Sequence, residues 1–271
     1  MLHAPVTIAT GGPLAVDADH LVKRYGVVTA VDGVSFQVRR GEIFGFLGAN
    51  GAGKTTTLRM LCGLVTPSSG TVAIDGFDIF RQANEAKARL GYLDEEPFVH
   101  QHLTAREFLD FISDLYRMPR GVERQQRVEN LIRLFELADR DRELIGNYSH
   151  GMRQKIGLAS LLIREPSVLL LDEPTNGLDP RSARLVKDLL EQLAARGTTV
   201  LLSTHILEIA QALCHRVAII DRGHVVATGT MSELGRQAGS EQASLEDLFL
   251  KLTAGPESRE MIDQLLAPSN P

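Results

Sequence analysis

The densest chemical signal in the sequence is the run Gly48-Ala49-Asn50-Gly51-Ala52-Gly53-Lys54-Thr55. It fits the phosphate-binding pattern G-x-x-x-x-G-K-[ST], whose glycines let backbone N–H groups converge on an anion. The flanks give that pattern mechanical sense. Residues 42–47 read as a short buried strand, and Thr56-Thr57-Leu58-Arg59-Met60-Leu61-Cys62 as the start of a helix. The helix N-terminus adds about half an elementary positive charge, so loop and helix together form a nest for a nucleotide polyphosphate. Lys54 would then reach the β- and γ-phosphates, and the Thr55 hydroxyl would ligate magnesium. A glycine-rich turn without a ligand satisfies the same spacing, but strand before and helix after favour the cradle.

Three further groups could act on such a ligand. Leu171-Asp172-Glu173 ends an apolar run with two adjacent carboxylates, and in a doubly wound sheet ligands collect at the carboxyl ends of strands. Asp172 there can hold magnesium, and Glu173 can orient a water for attack on the γ-phosphate. By itself the pair also reads as an acidic exit from a strand. Ser203-Thr204-His205 closes another expected strand, where His205 serves either the γ-phosphate or a structural contact. Tyr148-Ser149-His150-Gly151-Met152 opens an expected helix running to Ile163. Ser149 is a good N-cap and Gly151 permits close backbone approach. This helix end is a second anion site, or simply a capped helix.

The elements that must position these groups follow from periodicity. Residues 14–22 and 34–38 are expected strands separated by a turn at Asp32-Gly33; residues 71–74 form another, ended by Asp75-Gly76. These strands predict an antiparallel β-layer beside the nucleotide-binding sheet. After Arg81 helical periods dominate to Ile163, with Phe108, Phe111, Ile112 and Leu115 on one stripe and Leu131, Leu134 and Phe135 on another. This predicts a helical insertion over about residues 82–163. The run Val168-Leu169-Leu170-Leu171 suits a parallel strand covered on both faces. Residues 184–195 then form an amphipathic helix and residues 198–202 a strand. The stretch 217–227 forms a hairpin around Asp221-Arg222-Gly223-His224. Residues 1–13 are expected to be flexible, and residues 237–271 to hold a short helix and a loose tail.

Composition narrows the classes. Of 271 residues, 44% are apolar and 23% charged, as in globular domains with a substantial core. The 29 basic and 34 acidic residues leave a formal charge of −5, which offers no electrostatic reason to bind nucleic acid or an anionic membrane. No apolar run approaches the ~18–20 residues of a membrane-spanning helix, and residues 1–13 lack the basic-then-apolar order of a secretory signal. Cys62, on the phosphate-loop helix, and Cys214, in a second expected helix, read as buried reduced thiols. His100 and His102 beside the glutamates 95 and 96 read as a solvated loop in preference to a metal site.

Taken in order, these elements resemble the ATP-binding subunits of ABC transporters over about residues 14–229. Gly48 to Thr55 is similar to the Walker A loop, and Val168 to Asp172 followed by Glu173 to Walker B with its catalytic glutamate. Tyr148 to Met152 corresponds to the signature usually written Leu-Ser-Gly-Gly-Gln. Asn176-Gly177-Leu178-Asp179 matches the D-loop and His205 the switch histidine, while Tyr25 matches the aromatic that stacks on adenine.

The resemblance implies an α/β fold: a P-loop NTPase core with a mostly parallel sheet, an antiparallel β-subdomain and a helical insertion. It implies an ATPase with ATP and Mg2+, in which Lys54, Glu173 and His205 are catalytic. Nucleotide contacts would come from Tyr25, Gly48 to Thr56, Ser149, Gly151 and Asp179, and metal contacts from Thr55, Glu95 and Asp172. The implied partners are a separate polytopic permease and a second cassette, either a copy or a paralogue. The chain would lie in the cytoplasm, peripheral on the inner face of the membrane through the permease. Residues 244–250 are similar to a short helix that follows the cassette in bacterial export-type members, which favours export.

Three positions depart from the common pattern. His150 stands for a glycine and Met152 for a glutamine in the signature, and Glu95 stands where a glutamine is usual. A carboxylate still accepts a hydrogen bond from magnesium-bound water. Two other classes fit less well. A ribosome- or chromosome-associated ABC ATPase would carry two cassettes or long coiled coils. A GTPase would carry an Asn-Lys-x-Asp guanine-reading motif, which is absent.

Overall fold

The computed structural model describes residues 13–237, 239 and 244–253. It contains two sheets. Strands β1 (Leu14–Tyr25), β2 (Val28–Arg39), β4 (Ser69–Ile74) and β5 (Phe77–Asp78) form an antiparallel sheet of order β2-β1-β4-β5. The second holds β3 (Ile43–Leu47), β6 (Leu90–Leu93), β7 (Val168–Asp172), β8 (Thr199–Thr204), β9 (Arg216–Asp221) and β10 (His224–Gly229), in the order β10-β9-β3-β8-β7-β6. All its neighbouring pairs are parallel except β9–β10.

Strict alternation along the central strands builds two cores. Ile43, Leu47, Leu169, Leu171, Val200 and Leu202 face one cluster, and Phe44, Phe46, Val168, Leu170 and Leu201 face the other. This is why the apolar runs are continuous: each strand is covered twice. The first cluster is covered by α3 (Ala105–Leu115), α4 (Val122–Leu134), α5 (His150–Leu162), α6 (Pro180–Ala195) and α7 (Leu207–Leu213). The second is covered by α1 (Lys54–Leu61) and the antiparallel sheet, where Phe36 stacks on Phe44 with ring centroids 5.5 Å apart.

Several sequence expectations need correction. The first hairpin turns at Gly26-Val27, and Asp32-Gly33 lies inside β2. Pairing steps from Leu21↔Val34 to Lys23↔Val31, so β2 carries one extra residue there. Gly33, at φ +70°, supplies the backbone for that bulge, and the turn-like dipeptide bends a strand without ending it. Within residues 82–163, α2 (Ala83–Arg89) leads into β6, which pairs in parallel with β7 at the sheet edge. The chain therefore returns to the central sheet before its long helical stretch. A four-residue strand, Leu-Gly-Tyr-Leu, is too short to show a period. Cys214 lies just past α7 in extended backbone, buried like Cys62.

The hairpin at residues 221–224 forms, with Arg222 and Gly223 both at positive φ, as a two-residue turn of matching twist requires. After α8 (Met231–Gln237), the short C-terminal helix is α9 (Leu245–Thr253), with Ser244 accepting from the Asp247 amide. Residues 1–12 and 254–271, expected to be flexible and loose, lie outside the described residues.

His215 joins β9 to the start of β3: the Ile43 amide donates to its Nδ1 at 2.9 Å. Burial pulls its pKa below the usual value near 6.5, against the opposing pull of Glu42 and Glu191. The unfolded chain thus binds the proton first. Stability from this neutral imidazole is present above about pH 6.5 and is lost as pH falls toward the lowered folded value. Urea midpoints followed from pH 7 to pH 5 should fall less steeply in His215→Asn than in the parent chain.

Candidate functional site

Parallel strands share one direction, so β3, β7 and β8 deliver their carboxyl ends to one edge of the sheet. There the chain leaves β3 into the loop 48–53, which wraps the N-terminus of α1. Two glycines are required by space. A Cβ on Gly48 would come 2.6 Å from the Ile220 carbonyl oxygen, and one on Gly53 equally close to that of Ala30, with Gly53 at φ +107°. The loop is tied by Ala52 N–H to the Ala49 carbonyl (3.1 Å) and by Gly223 N–H to the Ala52 carbonyl (3.0 Å). The first turn of α1 carries no acidic residue and no capping side chain, which leaves an end suited to an anion.

A cavity of about 260 Å³ opens over this end, lined by Asn50, Gly51, Gly53, Lys54, Thr55 and Thr56 on one side and Glu95, Asp172 and Glu173 on the other. Lys54 is buried, donating to the carbonyls of Gly48 (2.7 Å) and Ala49 (3.3 Å), with Glu173 Oε1 at 3.9 Å. Burial lowers its pKa, and the charges of Glu173, Asp172 and Glu95 oppose that shift.

Alternation along β7 puts Asp172 on the same face as Leu170, toward α1. Its registered neighbour on β8 is Ser203, whose hydroxyl donates to Asp172 Oδ1. Oδ2 is buried with no partner. An unpaired buried carboxylate oxygen is costly unless something cationic or donating meets it. With Thr55 and Glu95 on the same cavity, the donor set is all oxygen, as magnesium prefers, and so fits that ion.

Glu173 occupies the left-handed region at φ +47°, a strained choice for a side chain. It turns the chain out of β7 and is held by Ser203, which offers both its carbonyl (3.2 Å) and hydroxyl (3.3 Å) to the Glu173 amide. Its Oε1 lies 2.7 Å from His205 Nδ1. Because an ionised carboxylate only accepts, the imidazole donates from Nδ1. A base beside a cavity holding a polyphosphate, with a histidine orienting it, can activate water.

The other expected positions lie away from this cavity's lining. Ser149 caps α5, accepting from the Met152 amide at 3.3 Å, and Gly151 follows on the same turn. Asp179 caps α6, accepting from the Arg181 and Ser182 amides at 3.0 Å each; its hydrogen bonds from Ser182 lower its pKa. Tyr25 stands half-exposed at the tip of the first hairpin, with the Lys23 ammonium 5.1 Å from its ring centroid. His100 meets Phe108 and Phe111 edge-on.

Sequence reasoning missed three supports. Ser203 carried no assigned role, although its register opposite Asp172 makes it the carboxylate's donor. Gln154 is fully buried in α5 and donates to the Glu173 carbonyl at 3.4 Å; a single polar residue on a core-facing helical stripe was its signal. Arg59 of α1 and the Tyr92 hydroxyl both meet Asp94 Oδ2 at 3.0 Å, joining α1 to the loop of Glu95. Burial and Asp94 push the Tyr92 phenol up, keeping it a neutral donor.

A family model described as ABC transporter matches residues 31–176. The daunorubicin resistance ATP-binding protein DrrA3 of Streptomyces coeruleorubidus is 41% identical over 229 residues, covering 84% of this chain and 72% of its own. The Nod factor export ATP-binding protein I of Paraburkholderia xenovorans is 41% identical over 220 residues, covering 81% and 72%. The solved ATP-binding subunit of an ABC transporter superposes with a TM-score of 0.83 at 32% identity, over 88% of this chain and 99% of that one. The ATP-binding cassette MJ0796, seen as a dimer in a post-hydrolysis state with ADP and Pi, gives 0.73 at 25%, over 79% and 98%.

If the loop and its lysine cradle phosphates, Lys54→Ala should weaken ATP binding by at least about tenfold, the scale of one charge-assisted contact. A fluorescent-nucleotide titration measures this, and an unchanged curve would contradict the cradle.

Proposed function

The chain belongs to the ABC transporter family as an ATP-binding, ATP-hydrolysing subunit, and we propose that it powers export through a separate membrane permease by ATP-driven pairing of two cassettes. The observation that carries the chemistry is the adjacent carboxylate pair on the cavity: Asp172 with one oxygen unpartnered, and Glu173 bonded to His205.

Lys54 and the N–H groups of Gly48 to Thr56 hold the β- and γ-phosphates, and Tyr25 stacks on the adenine. Thr55 and Asp172 would hold Mg2+, with Glu95 reaching it through water; the ion would neutralise phosphate charge and fix its geometry. Glu173 accepts the proton of the attacking water, with His205 Nδ1 orienting the carboxylate. Ser149 and Gly151 do not line their own protomer's cavity. This supports a head-to-tail dimer in which the α5 N-terminus meets the partner's γ-phosphate and Asp179 lies at the seam. Contacts to the γ-phosphate exist only in the closed state, so hydrolysis opens it.

The permease would dock on exposed apolar side chains beside the Glu95 loop: Phe98, Phe111 and Leu115, of which Phe98 is 88% exposed. Among the described residues no helix is long and apolar enough to cross a membrane. This supports a peripheral chain at the cytoplasmic face. Export rests on the relatives, one of them named for export and one for drug resistance, and on α9. The net charge of −5 supports no nucleic-acid partner.

Glu173→Gln should keep ATP affinity while phosphate release falls by about 10² or more, the usual weight of a general base, and ATP-loaded dimers should accumulate on gel filtration. Turnover near that of the parent chain would remove Glu173 from this role. Phe98→Asp should leave nucleotide affinity intact and release the chain from membrane fractions; retention there would contradict docking through these side chains.

A further inference from the structure

Two of the positions that depart from the common family pattern, Glu95 and His150, meet the same short loop at adjacent residues. The loop follows Glu173 and turns at once, the Asn176 amide donating back to the Glu173 carbonyl at 3.0 Å. The Asn176 side chain donates from Nδ2 to Glu95 Oε1 at 3.1 Å. Gly177, at φ +70°, has no room for a side chain: a Cβ there would overlap His150 Cδ2 and lie 3.1 Å from Nε2. Likewise, a Cβ on Gly151 would come 2.9 Å from the Gly177 carbonyl oxygen. Gly177 is therefore wedged against the first two residues of α5.

We infer that Glu95, Asn176, Gly177 and His150 form a positioning link that ties the state of one nucleotide cavity to the placement of the α5 N-terminus. The inference rests on the reading that this helix end completes the partner's site.

Each departure tightens the link for a chemical reason. Glu95 lines the cavity and accepts only, through two equivalent oxygens. One can hold Asn176 while the other accepts a hydrogen bond from water in the cavity. A glutamine has a single acceptor oxygen, which would have to serve both. At the far end, the imidazole of His150 fills the face of Gly177 that a glycine at 150 would leave open. A gap there would let the loop shift without moving α5, because lost contact distance forfeits packing quickly. Gln154, donating to the Glu173 carbonyl, keeps α5 registered on the start of the same loop.

The test is a double-mutant cycle in the full chain with Asn176→Ala and His150→Gly, following kcat, KM for ATP, and the affinity of the single protomer for a fluorescent ADP. Each single variant should lower kcat by about five- to tenfold with KM and ADP affinity within about twofold, and the double variant should fall no further than the worse single. Gly177→Ala should also lower kcat, and removal of the imidazole in Gly177→Ala/His150→Gly should restore part of it. Multiplying effects, or kcat within about twofold of the parent in both single variants, would overturn the link. If Gly177→Ala does not fold, the first cycle decides alone. If Glu173→Gln behaves as expected while the cycle is multiplicative, only the link fails. If Glu173→Gln turns over normally and forms no ATP-dependent dimer, the functional reading fails and the link with it.

Discussion

One ammonium and two buried carboxylates share a cavity, and the rest of the molecule is arranged to keep them there. Lys54, Asp172 and Glu173 are all buried. Charges removed from water persist only when they face one another with good geometry, and deleting one partner of such a set typically costs about 3–5 kcal/mol. The lysine is drawn down in pKa by burial and held up by the carboxylates around it. A bound polyphosphate would bring negative charge to the lysine and loop amides, and a divalent cation would bring positive charge to Asp172. Carboxylates outnumber the ammonium on the lining, and one oxygen of Asp172 lacks a partner, so a divalent cation would improve the match.

Holding that set requires a rigid sheet edge. Two cores, one on each face, leave β3, β7 and β8 no freedom to slip, since a one-residue shift would exchange the two apolar faces. The same register puts Ser203 opposite Asp172, so the Asp172 carboxylate is oriented by the neighbouring strand. Beyond the strand end the chain turns in a strained conformation at Glu173, passes Asn176 and Gly177, and is caught by the Asp179 cap of α6. Within about seven residues it has touched the cavity, the Glu95 loop and the α5 N-terminus.

Much of this was legible beforehand because its signals are local. The phosphate loop, the doubly covered strand, the Ser149 cap and the hairpin at Arg222-Gly223 each follow from a few adjacent residues whose backbone needs are specific. What escaped was decided by partners distant in sequence. Asp32-Gly33 has turn composition, yet pairing on both sides turns it into a bulge. Strand β6 gains its identity from β7, not from its own four residues. The Arg59–Asp94–Tyr92 group joins positions 35 and 2 apart, with no spacing that marks it.

The chain's order of residues settled which chemical groups exist and what backbone each one demands: a loop that only glycines can close, a lysine behind it, two carboxylates after a run that must be buried. Local sterics and hydrogen bonding decide such things within a few residues. Only the tertiary structure decided which oxygen of Asp172 is left without a partner, that His205 and Lys54 flank the same carboxylate, and that Glu95 and His150 grip one loop. Those relations depend on strand register and on side chains meeting across the sheet edge, distances that no linear spacing encodes.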